Sequence, residues 1–142
     1  MLRLLYTLTI TAALWLTSCL DIIYYDATPG EVASMTIPAE GGRFEFQLVE
    51  YEILRDTRFQ PGEWFKCYRY RVVEDGVVGE ESENIVDNPD VWIDFAPNDS
   101  DHTKEYTIDV KVAKDFYRYD EEHHFGEWQT VWHITQPSMV GE

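Results

Sequence analysis

Cysteine is scarce in this chain, and so is positive charge. The 142 residues include two cysteines, Cys19 and Cys67, and 11 lysines and arginines against 27 aspartates and glutamates, a formal balance of −16. A surface so short of cations repels polyanions, which argues against nucleic acid and anionic headgroups as partners. Long helical periodicity is missing too, so amphipathic helices are not expected. No G-x-S-x-G, H-E-x-x-H or C-x-x-C spacing occurs, nor a glycine-rich phosphate loop. Aromatics, by contrast, make up 15% of the residues, which argues against disorder despite the charge.

One apolar run stands at the amino terminus. Leu4 to Leu16 follow Arg3 and have the length of a signal h-region, short of a comfortable membrane span. Then comes "LTSC", Leu16 to Cys19: an aliphatic residue, two small ones, then cysteine. This resembles the lipobox of bacterial lipoproteins. The resemblance implies a signal peptide over 1–18, a diacylated Cys19 as first mature residue, and a partner in the membrane itself. Acyl chains anchor without spanning, at about 0.8 kcal/mol per buried methylene. It also implies the cell envelope. Leu20 after the cysteine fits outer-membrane sorting, with Asp21 a hint of surface display and the side of the membrane left open. Without Arg3 the mature chain has 10 basic residues against 27 acidic ones, or −17. With Cys19 lipidated, Cys67 has no partner for a disulfide, so stability must come from a packed core. Cys67 is expected inside it as a small apolar residue.

Residues 19–33 read as the lipidated terminus and a tether, closed by the Pro29-Gly30 turn signal. From Ser34 the chain alternates. In "GGRFEFQLV", Phe44, Phe46 and Leu48 share a face. "WFKCYRYRVV" (64–73) is a strand rich in aromatic and β-branched residues, and Asp75-Gly76 after it suits a type I′ hairpin turn. "VWIDF" places Val91, Ile93 and Phe95 together. "EYTIDVKVA" points Tyr106, Ile108, Val110 and Val112 inward. "WQTVWHITQ" puts Trp128, Trp132 and Ile134 on one face, and a brief strand is expected near Asn84–Val86. Arg69 and Arg71 alternate with tyrosines and read as an ion-pair ladder against acids on a neighbouring strand. About seven strands over 34–138, with a short tail at 139–142, predict an all-β, antiparallel β-sandwich.

The order of these pieces resembles a known family. "IPAEGG" supplies Pro38, Ala39, Gly41 and Gly42; "VWIDF" supplies Trp92 and Ile93; "HITQ" supplies Ile134, Thr135 and Gln136. Together they are similar to the BACON domains, the Bacteroidetes-associated carbohydrate-binding often N-terminal domains, over most of residues 34–138. That resemblance implies an immunoglobulin-like sandwich and the binding of carbohydrate or mucin. Segment 50–90 and loop 114–127 are longer than a minimal member needs.

Candidate chemistry centres on "DEEHHFGEW" (120–128). Adjacent His123 and His124 point to opposite faces of an extended strand, so no metal site is expected there. Oxygen-rich stretches at 80–90 and 98–101 lack the spaced EF-hand pattern. Carboxylates are too abundant for any one pair to mark a catalytic couple, so the chain reads as non-enzymatic and without a cofactor. Trp92 and Trp132 are expected as core or edge aromatics. Sugar recognition wants exposed rings beside polar groups. Tyr117, Tyr119, Trp128 and Trp64, all in or beside loops, are the expected ligand-binding residues. The function expected is a lipid-anchored envelope module binding glycan through loop aromatics; the alternative is a structural or assembly lipoprotein engaging another envelope protein.

Overall fold

A computed structural model describes residues 22–56, 62–116 and 122–141. Cys19, Tyr117 and Tyr119 lie outside the described residues. Among the described residues ten strands form: β1 (Ile22–Pro29), β2 (Ala33–Thr36), β3 (Gly42–Gln47), β4 (Val49–Asp56), β5 (Gly62–Phe65), β6 (Tyr68–Glu74), β7 (Val77–Val78), β8 (Asp90–Phe95), β9 (Lys104–Val112) and β10 (Gln129–Gln136). One layer is a five-stranded sheet in the order β2-β10-β9-β6-β7; the rest pair as β4-β1-β5 and β3-β8. Phe46, Leu48, Val49, Tyr68, Ile108 and Ile134 fill the core between them. The fold is all-β and sandwich-like. No helix among the described residues is long and apolar enough to cross a membrane.

Most of the alternation is realised as burial. Phe46 and Leu48, Val91 and Phe95, and Tyr106, Ile108 and Val110 are all buried. Asp75 and Gly76 both have positive φ, 47° and 81°, and join β6 to β7 as the two-residue turn that their sequence predicts. Cys67 is buried with no disulfide partner among the described residues, and burial pushes its thiol pKa up. The brief strand near Asn84–Val86 is an isolated bridge between Ile85 and Tyr68.

Four expectations are corrected. The tether contains a strand: β1 pairs with β4 over eight residues, antiparallel, and with β5 in parallel. Its sequence, IIYYDATP, does not alternate, so period two could not find it. The sandwich is not wholly antiparallel, because β2 also pairs in parallel with β10. The run 64–73 is two strands, broken at Lys66-Cys67. Finally, Trp128 and Trp132 do not share a face. A bulge between Thr130 and Trp132 reverses the parity, leaving Thr130 opposite Asp109 outside and Trp132 opposite Ile108 inside.

The end of β10, the turn at Pro38 and Ala39 and the end of β8 meet at one corner. Gln136, fully buried at the end of β10, donates from its amide nitrogen to the carbonyls of Ala96 at 2.9 Å and of Pro38 and Ala39 at 3.3 Å. Its amide oxygen accepts from the Tyr106 hydroxyl at 2.8 Å. Asn98, also buried, donates to the carbonyls of Gln136 and His102 at 3.0 and 2.9 Å. That commits the first residue of the 98–101 stretch to holding the loop.

Candidate functional site

The site follows from asking which aromatic rings are free. Four of the five tryptophans are among the described residues. Trp132 lies half-buried edge-on to Phe46 and donates its indole N–H to the Gln47 carbonyl at 2.9 Å. Trp64, half-buried on β5, has its indole nitrogen buried with no hydrogen-bond partner among the described residues. Trp128 is covered by cations: the Arg71 guanidinium lies 4.3 Å from its ring centre and the Lys111 ammonium 4.8 Å.

Trp128 is the end of a stack. Lys111 and Arg69 sit 5.0 and 4.6 Å from the Phe125 ring. Arg71 pairs with Asp109, its direct partner on β9, at 3.2 Å, and Thr130 donates to the same carboxylate at 2.8 Å. Arg69 reaches Glu81 at 3.0 Å. The ladder expected from the Arg-Tyr alternation is present in part: Arg71 meets an acid on the neighbouring strand, while Arg69 lies opposite Lys111 and pairs with Glu81 outside the strands, and two rings from the loop before β10 roof both. Trp128→Ala is expected to cost about 1–3 kcal/mol, since it removes two cation–π contacts and apolar cover. Chemical denaturation measures it, and a loss near zero would mean the roof is idle.

The same loop splits its two histidines, as the sequence predicts. His124 is exposed, while the His123 side chain is 1% exposed, 3.7 Å from Asp115 and edge-on to Phe125. One of the two histidines is therefore buried. The loop folds back on the β9–β10 hairpin through the Ala113–Phe125 bridge and the Gly126 N–H on Val112. Among the described residues no cluster of three or more His, Cys, Asp or Glu side chains is placed to hold a metal.

The remaining histidine of interest is His102. Its two ring nitrogens contact Asp75 at 2.9 Å and Asp101 at 3.1 Å. With both nitrogens engaged by carboxylates, the ring has none left to accept a proton from a nucleophile. Those bonds, Asp75 first, raise its pKa above the usual 6.5. Asp75 is lowered from 3.8 by the Glu105 N–H and then by His102, and Asp101 is lowered mainly by His102. The signs set a window. The histidine's contribution is full below 6.5 and is lost as pH rises through its raised pKa; that of the acids is full above 3.8 and is lost as pH falls through their depressed pKa values. The melting-temperature gap between the native chain and His102→Gln is therefore expected to be widest near pH 5 and to close toward alkaline pH. A gap independent of pH would refute the triad.

Trp92 is different from the other three. It is 54% exposed, on the outward face of β8. The pairing of β3 with β8 sets Glu45 opposite Trp92 and Arg43 opposite Asp94. The Arg43 guanidinium lies 5.6 Å from the indole centre and 3.9 Å from Asp94, whose side chain is 83% exposed. Of the expected core or edge place for Trp92, the core is thus corrected: it stands outward on β8, a strand paired, among the described residues, with β3 alone. The signal was in the chain already: Val91, Ile93 and Phe95 inward leave Trp92 outward. An apolar ring with donors and acceptors on both sides can stack on a sugar face and bond its hydroxyls.

No family model matches the chain, and no curated protein matches it either.

Proposed function

We propose that this chain is a non-catalytic glycan-binding module, an immunoglobulin-like sandwich held at the cell envelope by lipid on Cys19, with Trp92 as its stacking platform. The observation that carries this reading is the half-exposed indole of Trp92 between Arg43, Glu45 and Asp94 on the outward face of the β3-β8 pair. The free ring and its polar frame suit a ligand that is apolar on one face and hydroxylated at its edge. The loop expectation is thereby moved to the sheet. Trp128 and Trp64 present less free ring, and Tyr117 and Tyr119 stay as secondary candidates in the same loop as Trp128.

The test is a glycan array probed with the full chain in mild detergent, beside Trp92→Ala, Trp128→Ala and Tyr119→Ala. Retention of glycan by the native chain and by Trp128→Ala, with loss in Trp92→Ala, is the expected pattern. Retention by Trp92→Ala rejects the platform. A chain that retains no glycan but co-purifies with envelope proteins from intact cells points to the structural role instead. For the anchor, Cys19→Ala is expected to move the protein from the membrane to the aqueous fraction; a native chain that never incorporates labelled fatty acid refutes it.

A further inference from the structure

We propose that the Trp92 platform runs on into the groove beside Gln47 and Glu50, and that the two together hold a neutral, unbranched glycan chain of at least three sugar residues. This rests on the glycan reading of Trp92.

The geometry begins with strand parity. Glu45 faces Trp92 across the pair, and Gln47 is the next outward residue on β3, opposite Asp90. Leu48 and Val49 are then both fully buried, so the alternation resets and Glu50 faces outward as well. Gln47 and Glu50 line two adjoining hollows. One, of about 530 Å³, is walled by Tyr25, Tyr51 and Pro89 with Asp87 at its rim. The other, of about 190 Å³, reaches Gly30 and Trp132. Both open to solvent, so a chain can pass along them without ending there. Glu45 to Glu50 spans at most about 17 Å of extended chain, enough for about three sugar rings end to end.

The lining sets the class of chain. Tyrosine and proline faces supply apolar cover, while Gln47, Glu50 and Asp87 supply groups for hydroxyls. Arg43, the one cation among the described residues of this stretch, already faces Asp94 and Trp92. Glu45, Asp90, Glu50 and Asp87 leave the surface acidic. A sialylated, uronic or sulfated chain meets like charge along its length, whereas a neutral chain meets acceptors.

The experiment measures affinity of the full chain in mild detergent for size series of cello-, laminari-, malto-, manno- and galacto-oligosaccharides from monomer to hexamer, beside sialylated and sulfated glycans. In at least one neutral series the trimer is expected to bind at least about tenfold more tightly than the monomer. Gln47→Ala with Glu50→Ala, both at exposed positions, is expected to erase that gain and leave the monomer affinity in place. Trp92→Ala is expected to remove both. Equal affinity for monomer and trimer overturns the extended groove and leaves the Trp92 platform standing, as does a length gain that survives the double substitution. Tighter binding of anionic chains overturns the charge argument. No binding to any glycan overturns the Trp92 reading itself and this inference with it.

Discussion

Gln136→Ala is expected to lower the melting temperature by about 10–20 °C, a loss of about 3–5 kcal/mol. The side chain has no exposed surface, and its amide is the hub of the corner where β10, the 38–41 turn and the end of β8 meet. Truncation leaves the Tyr106 hydroxyl and the Ala96 carbonyl without this partner inside the protein. The buried Tyr106 hydroxyl costs about 1–3 kcal/mol when left unpaired, and the Ala96 carbonyl, on an exposed residue, costs less. The Pro38 and Ala39 carbonyls lose less, because they also accept from the N–H groups of Gly41 and Asn98. The vacated volume adds a cavity term. Gln136→Leu separates the two, since leucine refills most of the space and restores no bond. It is expected to recover only the cavity share. A Gln136→Ala chain within about 1 kcal/mol of the native one would show that water or relaxation replaces the hub.

Period two carried the reading of this fold wherever a strand has one wet face. Tyr106, Ile108 and Val110 on β9 are the clearest case, and the Asp75-Gly76 turn was legible because only certain residues tolerate its dihedral angles. Three local events broke the rule. The strand β1 reads IIYYDATP, which sets like residues side by side and does not alternate. The bulge at Val131 turns Trp128 away from Trp132, and a bulge adds one residue without a residue type that announces it. The reset at Leu48-Val49 places Gln47 and Glu50 together on the outside, and it shows only as two adjacent apolar residues. The outward place of Trp92 was missed for another reason. Tryptophan was weighed by its bulk and hydrophobicity, which favour burial, over the parity of its neighbours, which already pointed Trp92 outward.

Gly41→Ala is expected to destabilise the fold by more than about 3 kcal/mol, well beyond the ordinary price of a left-handed residue, which is about 1–2 kcal/mol. Gly41 has φ of 76°, and a Cβ there would lie 2.2 Å from the Phe95 carbonyl oxygen and 2.8 Å from the Ala96 carbonyl group. Both contacts are backbone, so no rotamer relieves them, and the end of β8 must move. Gly76 is the control. Its φ is 81°, nearly the same, and nothing lies within 4 Å of an added Cβ. Gly76→Ala should show the conformational cost alone, and the difference between the two variants isolates the steric term. Comparable losses at both sites would mean that the corner yields. The Ala96 carbonyl that Gly41→Ala displaces is the one that accepts from Gln136. The two substitutions therefore strike one contact. In a double-mutant cycle the pair should cost less than the sum of the singles by 0.5 kcal/mol or more, at about the scale of directly coupled residues. Strict additivity would place the damage of Gly41→Ala elsewhere than at the carbonyl the two residues share.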